Sequence, residues 1–280
     1  MSDLKISNSR VLITGQTGSL GRTLSKRFED CDVLSIGRDH SEINRVQGFR
    51  PDYVFHFGAE IYDDKSMLES NVIFTNRLLL SIVDLPIRSF VYCGSSSEYG
   101  AKSAPMSESD ILAPRNMYEA TKGCGTLLCQ AYAKAYDKPI VILRPFSVYG
   151  EFDRPHKFFP RMMAEFEKKG SVYVYSGSHD WIYADDFTDC VVLAANNEAA
   201  QKGEIINVGT GVMSSNKEVY ESFCEAFGYS IDVEFTDLRH KDFDTDLWVA
   251  NTDKAKRLLG FSYKTSLVDG IKKMIHERNR

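Results

Sequence analysis

The sequence predicts an α/β protein built on a doubly wound parallel sheet, with a smaller, discontinuous C-terminal lobe. Short apolar runs alternate with segments of helical periodicity through the first half of the chain, as in a sheet covered by helices on both faces. A glycine-rich turn follows the first apolar run directly. The alternation weakens after Gly150, where the chain becomes richer in Phe, Tyr, Lys and Asp, and this change predicts the second lobe.

The apolar runs RVLIT, DVLSI, YVFHF, FVYC, IVIL and EIINV have the length and continuity of buried strands. Strands are accordingly predicted at residues 10–14, 32–36, 53–57, 90–93, 140–143 and 204–208. Helical periodicity predicts helices at residues 20–30, 71–83, 118–136 and 181–196. The sheet domain is predicted to comprise residues 1–150 and about 181–210, and the smaller lobe about 151–180 and 211–280.

Composition argues against several functional classes. The 280 residues are 43% hydrophobic with a net charge of −5, which is typical of a globular protein and argues against a nucleic-acid partner. The six cysteines form no CxxC pair, so we expect no metal site and a cytoplasmic location. The N-terminus lacks the apolar stretch of a signal peptide, and no apolar run approaches the ~18 residues of a membrane span, so we expect no membrane partner.

The turn after the first predicted strand has the pattern of a dinucleotide-binding loop. In the segment TGQTGSLG, Gly15 permits a tight turn, Gly18 allows backbone N–H groups to approach a pyrophosphate, and Gly21 allows the following helix to pack on the strand. A glycine-rich turn without a ligand is the alternative. The order strand, loop, helix near the N-terminus favours the dinucleotide and predicts a Rossmann fold.

The residue after the second strand bears on which dinucleotide is bound. An acidic side chain there would hold the ribose 2′-hydroxyl of NAD, whereas Arg38 could grip the 2′-phosphate of NADP with both guanidinium nitrogens. Arg38 could also be a solvated loop residue, with Asp39 reaching the ribose. The sequence therefore predicts NADP or NAD, with NADP favoured.

Two groups of polar residues predict proton transfer in the same cleft. Tyr118 and Lys122 form a YxxxK pair that lies on one helix face, where the ammonium would lower the pKa of the phenol and make it a general acid/base. Taken alone, this spacing is better explained by an ordinary amphipathic helix face. A serine cluster at the end of the strand FVYC could bind a substrate oxygen beside the phenol, because ligands of open α/β sheets bind at the carboxyl ends of strands.

Together these motifs resemble the extended short-chain dehydrogenase/reductase superfamily, which contains NAD(P)-dependent sugar-nucleotide epimerases, dehydratases and reductases. The resemblance covers nearly the whole chain, through the segments TGQTGSLG, HFGAE, NVIFTN, FVYCGSSSEYG, LRPFSVYG and SHDWIYADD. It implies hydride transfer between a nicotinamide and a carbon of a nucleotide-activated sugar, with proton transfer at the sugar oxygen. It also implies a homodimer formed through helices 71–83 and 121–136.

The resemblance implies a role for each matching residue. The catalytic residues it implies are Ser95, Tyr118, Lys122 and Asn71, with Ser96 as the fallback for Ser95. The cofactor-binding residues it implies, with Arg38 from the argument above, are Gly15, Thr17, Gly18, Ser19, Leu20, Gly21, Arg38, Glu42, Ile43, Phe57, Gly58, Ala59, Tyr118, Lys122, Pro145 and Val148. The substrate-binding residues are Ser96, Ser97, Ser147 and His179, and no residue is expected to bind a metal.

Departures from the family pattern narrow the reaction. Dehydratases carry Asp and Glu where this chain has Ser96 and Ser97, so dehydration is not expected. The short link after the second strand resembles that of 4-keto-sugar reductases, and with Arg38 it favours an NADPH-dependent reductase. A 4-epimerase with tightly bound NAD is the alternative, and a non-catalytic NAD(P)-binding regulatory protein is the third. His179 and Ser147 replace the Arg and Asn expected near the substrate, which leaves the nucleotide and the sugar open.

Overall fold

A computed structural model describes residues 4–37, 39–239 and 247–278 of the chain. Its strands are β1 (Ile6–Ser7), β2 (Arg10–Thr14), β3 (Phe28–Glu29), β4 (Asp32–Ile36), β5 (Tyr53–His56), β6 (Ser89–Cys93), β7 (Ile140–Pro145), β8 (Ser147–Tyr149), β9 (Ser171–Ser176), β10 (Ser178–His179), β11 (Trp181–Tyr183), β12 (Lys202–Val208), β13 (Ser214–Ser215) and β14 (Asp232–Arg239). Its α-helices are α1 (Ser19–Ser25), α2 (Asn44–Phe49), α3 (Asp64–Met67), α4 (Phe74–Ser81), α5 (Met117–Ala135), α6 (Phe158–Lys168), α7 (Ala184–Ala195), α8 (Asn216–Phe227), α9 (Asp253–Leu259) and α10 (Leu267–Arg278).

The central sheet has six parallel strands in the order β12-β7-β6-β5-β2-β4. The direction of winding reverses at the β2–β5 pair, which is where open α/β sheets bind their ligands. The described residues of the link from β4 to β5 form a 3-10 turn (His40–Ile43) and the short helix α2. After this link, β5 pairs directly with β2. The predicted α/β fold with a doubly wound parallel sheet is confirmed.

Both faces of the sheet are covered because the strand residues alternate between two apolar clusters. On β2, Val11 and Ile13 pack in the cluster that includes residues of α1, α7 and α9. Leu12 points the other way, into the cluster formed with α2, α4 and α5. This two-sided burial explains why the strands are continuously apolar.

A third apolar cluster lies beyond the sheet. It is built on aromatic and aliphatic residues of α6, α8, α10 and β9, among them Phe166, Phe223 and Ile271, none of which is measurably exposed. Stacking of Tyr149 on Phe159, with ring centroids 4.1 Å apart, connects this cluster to β8. Within the described residues, no helix has the length and apolar character needed to cross a bilayer. The division of the chain at the predicted domain boundaries stays a prediction.

Two predicted helices differ from the observed elements because tertiary pairing overrides helical periodicity. The helix expected at residues 20–30 ends at Ser25, and Phe28–Glu29 instead pairs in parallel with Ile6–Ser7 as β3. The helix expected at residues 181–196 begins at Ala184, because Trp181–Tyr183 pairs with β8. Both displaced segments are bound by strands that are distant in sequence, which local periodicity does not reveal.

Candidate active site

A cleft of about 430 Å³ opens at the carboxyl ends of the central strands. It is lined by the glycine turn after β2, by the serine cluster after β6, by Tyr118 and Lys122 on α5, and by residues 145–148 after β7. A second cavity of about 230 Å³ lies beside it, between the glycine turn and the end of β4. The two cavities share Gly15, Gly18, Phe57, Ala59 and Arg154, so they form one groove of the elongated kind that a dinucleotide needs.

The glycine turn has the close backbone packing that its sequence predicts. Gly15 has φ +73°, and a Cβ atom built on it would lie 2.6 Å from the backbone nitrogen of Gly58. A Cβ on Gly21 would meet the carbonyl of Gly15, so the helix packs directly against the turn. The loop after β5 is held by Thr14, whose hydroxyl accepts the Gly58 N–H at 2.9 Å. Only glycine at these positions allows the turn and the loop to approach this closely.

Most predicted cofactor residues line the groove. These are Gly15, Thr17, Gly18, Ser19, Leu20, Gly21, Phe57, Gly58, Ala59, Tyr118, Lys122, Pro145 and Val148. Ile43 is buried in the apolar core and Glu42 accepts the Gly37 N–H at 2.9 Å, and neither lines the groove. Arg38 lies outside the described residues, so the NADP preference that rested on it stays a prediction.

Ser95 begins a 3-10 turn (Ser96–Tyr99) at the end of β6 and is 7% exposed. Its hydroxyl accepts the Ser97 N–H at 3.1 Å, and its own N–H donates to a Glu98 carboxylate oxygen at 2.8 Å. This capping box fixes the serine backbone. The Ser95 hydroxyl lies close enough to the Tyr118 phenol to lower its pKa, so the structure brings these two predicted catalytic residues together.

The electrostatics of Tyr118 and Lys122 differ from the simple sequence expectation. Burial raises the pKa of Tyr118 to about 12, and the nearby Ser95 hydroxyl opposes this shift only in part. Burial likewise lowers the pKa of Lys122, whose ammonium donates to the Cys93 carbonyl and lies 4.5 Å from the centre of the Tyr92 ring. Desolvation therefore dominates both groups, and the predicted lowering of the Tyr118 pKa by Lys122 is absent from this arrangement.

Asn71 does not line the groove. It lies in a π-helical turn (Leu68–Ile73) and is 2% exposed. Its side chain accepts the Glu60 N–H at 2.7 Å, and it donates to the Glu60 carbonyl at 2.9 Å and to the Thr121 hydroxyl at 3.0 Å. Asn71 thus joins the loop after β5 to α5 in this structure, and its predicted catalytic role stays a prediction.

All four predicted substrate residues, Ser96, Ser97, Ser147 and His179, line the larger cleft. Ser96 accepts a hydrogen bond from the Trp248 indole nitrogen at 3.1 Å, which brings Trp248 to the wall of the same cleft. This contact joins two segments that are far apart in the chain.

Arg115, Glu119 and Trp248 are among the lining residues that were not predicted from the sequence. Arg115 and Glu119 form an ion pair of 3.0 Å, and their i, i+4 spacing across Tyr118 was the available signal. No local signal placed Trp248 here, because only the tertiary fold brings it to the serine cluster. Arg154 and Lys157 also line the cleft and supply positive charge for an anionic ligand.

Among the described residues, no group of three or more His, Cys, Asp or Glu side chains is arranged to bind a metal ion. The groove presents a phenol, a hydroxyl and an ammonium beside the glycine turn.

Comparison with known proteins shows similarity along nearly the whole chain. The NAD dependent epimerase/dehydratase family matches residues 11–209. The low-salt glycan biosynthesis protein Agl12 of Haloferax volcanii is 32% identical over 231 residues, covering 79% of this chain and 73% of that protein. UDP-glucose 4-epimerase of Mycolicibacterium smegmatis is 28% identical over 313 residues, covering 95% and 97%. The solved structure of MoeE5 in complex with UDP-glucose and NAD is 25% identical, with a TM-score of 0.79 and coverage of 97% and 100%.

Proposed function

The chain belongs to the NAD dependent epimerase/dehydratase family, and from this premise we propose that it is a nucleotide-sugar 4-epimerase that retains NAD between turnovers. The observation that carries the proposal is that Ser95 and Tyr118 lie beside each other in the groove that the glycine turn also lines. Bound NAD would supply a reversible hydride acceptor in that groove. The glycine turn and residues 57–59 and 145–148 would hold it.

The residues of the chain then account for proton transfer at the sugar. Ser95 would bind the sugar hydroxyl, and Tyr118 would accept its proton as the adjacent carbon loses hydride to give a ketone. After the ketone has rotated in the cleft, Tyr118 would return the proton to the sugar oxygen and hydride would return to the opposite face of the ketone carbon. The reaction would then involve no net oxidation or reduction. Because burial raises the pKa of Tyr118 to about 12, the phenol holds its proton at neutral pH and is suited to return a proton to the sugar. Accepting the first proton requires the phenolate, which the positive charge of a bound nicotinamide ring would favour.

The comparisons support the epimerase alternative of the sequence analysis better than its favoured reductase. One relative that aligns over 95% of this chain is a UDP-glucose 4-epimerase. The similar solved structure contains UDP-glucose and NAD. We therefore propose a UDP-sugar as the first substrate to test, with its diphosphate near Arg154 and Lys157 in the larger cleft.

Glu42 favours NAD over NADP. Its carboxylate accepts the N–H of Gly37 at the end of β4, beside the smaller cavity. Although Glu42 does not line the groove and also lies 3.8 Å from Arg45, its negative charge near the end of this strand would disfavour a 2′-phosphate in the smaller cavity. We expect calorimetric titration to give a lower Kd for NAD than for NADP, and Glu42→Gln to narrow the difference. Equal affinities in both proteins would contradict this argument.

The reaction is tested by separating net oxidation from epimerisation. Denaturing the purified protein should release about one nicotinamide per chain, and the protein should convert UDP-glucose or UDP-glucuronic acid to its 4-epimer without added cofactor. Tyr118→Phe should lower turnover by about 10²–10⁴-fold, the usual range for a general acid/base. Tyr132→Phe is the matched control, because Tyr132 lies on the same helix but donates to Asn76 outside the groove.

A different outcome would identify the reductase. If the purified protein carries no dinucleotide and consumes NADPH in proportion to a 4-keto sugar, the epimerase proposal is wrong. If Tyr118→Phe binds NAD normally and keeps turnover within about tenfold, the acid/base role is wrong as well.

We also propose a homodimer formed through α4 and α5. Exposed apolar side chains occur on and beside these two helices: Leu68, Leu80, Met117, Leu127 and Tyr136 are each more than 40% exposed. The two helices pack against each other, so their solvent-facing sides form one surface, to which each contributes an exposed leucine, Leu80 of α4 and Leu127 of α5. A surface of this kind favours burial against a second copy of the chain.

A further inference from the structure

We propose that Glu98, with Arg144 as its counter-charge, is the positioning residue of this active site. The inference rests on the proposed function. It assigns to a buried ion pair the task of holding together the three chain segments that carry the reacting groups.

The Glu98 carboxylate is the point at which those three segments meet. One oxygen accepts the N–H of Ser95 at the end of β6. The other accepts the hydroxyl of Thr126 at 2.8 Å, one turn beyond Lys122 on α5. The same oxygen accepts Nε–H of Arg144 at 2.9 Å, and Arg144 directly precedes Pro145 in the wall of the cleft. A single carboxylate thus connects the serine loop, the helix of Tyr118 and the strand beneath the cofactor groove.

The pair is buried to a degree that stability alone does not explain. Glu98 is not measurably exposed and Arg144 is 1% exposed. The guanidinium stacks over the Tyr99 ring at 4.5 Å, while its Nη1 lies buried without a hydrogen-bond partner. Replacing such a pair by apolar residues is often neutral or stabilising, because desolvation offsets the attraction between the charges. A costly pair at this position is better explained by the orientation that it gives to Ser95.

The neighbouring residue Gly94 shows how closely the chain is fitted around the carboxylate. A Cβ atom on Gly94 would lie 2.7 Å from a Glu98 carboxylate oxygen. Any larger residue there would displace the carboxylate and, with it, the Ser95 N–H that it accepts. The absence of a side chain at position 94 is therefore part of the same arrangement.

Glu98 also acts on Tyr118 electrostatically. The ionisable groups that raise the pKa of Tyr118 are Cys93 at the end of β6, Glu98 in the 3-10 turn and Glu119 on α5, and the Ser95 hydroxyl lowers it. The charge of Glu98 also stabilises the Lys122 ammonium. Removing the charge of Glu98 should therefore lower the Tyr118 pKa. Removing its support of Ser95 should raise that pKa, because the Ser95 hydroxyl would no longer be held beside the phenol.

Two variants separate these effects. Glu98→Gln keeps an oxygen for the Ser95 N–H and removes the charge. Glu98→Leu combined with Arg144→Met removes both charges and the support of Ser95. Because it leaves no unpaired buried charge, the double variant can be tested even if the unpaired Arg144 charge unfolds the single variant. Asp186→Asn is the control, because Asp186 is a buried carboxylate that accepts the N–H groups of Lys264 and Thr265 away from the groove.

In the NAD-loaded double variant we expect kcat to fall about 10²-fold with KM within about threefold, as for misplacement of a reacting group. Asp186→Asn should lower the unfolding temperature and leave kcat unchanged. A double variant that keeps kcat within about threefold would show that the pair does not position the site.

A second measurement does not require turnover. NMR of protein with tyrosine labelled with ¹³C at Cζ would follow the Tyr118 phenol, whose signal is assigned by its loss in Tyr118→Phe. This signal should titrate at a lower pH in Glu98→Gln than in the unmodified protein. In the double variant it should titrate at no lower pH than in the unmodified protein. The same titration curve in all three proteins would overturn the proposal. If the unmodified protein does not epimerise a UDP-sugar, the proposed function fails, while the titration still tests the role of Glu98.

Discussion

Alanine at position 15 tests how closely the cofactor turn must be packed. The left-handed backbone of Gly15, with φ +73°, costs an alanine about 1 kcal/mol. The added Cβ would also lie 2.6 Å from the Gly58 nitrogen and 2.7 Å from the Phe57 carbonyl carbon. These are backbone atoms that cannot rotate away, so overpacking adds about 1–3 kcal/mol. The free energy of unfolding should therefore fall by about 2–4 kcal/mol in Gly15→Ala.

Gly228→Ala provides a matched control. Gly228 ends α8 with φ +75°, but nothing lies within 4 Å of the Cβ position, so only the backbone cost of about 1 kcal/mol applies. By thermal unfolding, about 2 °C per kcal/mol gives a loss of about 2 °C for the control and about 4–8 °C for Gly15→Ala.

Calorimetric titration should show that Gly15→Ala binds NAD at least about tenfold more weakly than the unmodified protein, whereas Gly228→Ala binds it with unchanged affinity. The reason is that Gly15 lines the groove and Gly228 does not. Equal losses of stability in the two variants, with equal NAD affinities, would refute the close-packing argument.

Three further outcomes follow from the structure. His56 is buried between the hydroxyls of Thr14 and Thr75, and burial lowers its pKa to about 3, so the unfolded chain binds an extra proton between about pH 3 and 6.5. The free energy of unfolding should therefore fall as the pH drops through this window, by about 1.4 kcal/mol at pH 5.5 relative to neutral pH. Urea unfolding at each pH should show a smaller fall in His56→Gln. Asn71→Ala leaves the buried Glu60 N–H without its acceptor and should lower the free energy of unfolding by about 1–3 kcal/mol in urea; an unchanged midpoint would contradict the role of this side chain. Leu127→Arg should make the protein monomeric by light scattering, whereas exposed Lys134→Arg on the same helix should not, and a dimer that tolerates Leu127→Arg would exclude this surface.

The separate elements and the family were predictable because their signals are local. Continuous apolar strands, the glycine spacing at Gly15, Gly18 and Gly21, and the i, i+4 pair of Tyr118 and Lys122 each follow from neighbouring residues. The family assignment is confirmed by the match over residues 11–209. The helix starts were less predictable at Trp181, because a distant strand competes for the same segment.

What the sequence by itself determined was the chemistry available: a dinucleotide turn, a phenol, an ammonium and a serine cluster in an α/β chain. Only the tertiary structure decided their electrostatic state and their support. Burial, which depends on the whole fold, raises the pKa of Tyr118 to about 12. The fold also places the Lys122 ammonium next to the Cys93 carbonyl, to which it donates a hydrogen bond. The contacts of Trp248 with Ser96 and of Arg144 with Glu98 join residues far apart in sequence, and such pairs form only when the folded chain brings them together and excludes water.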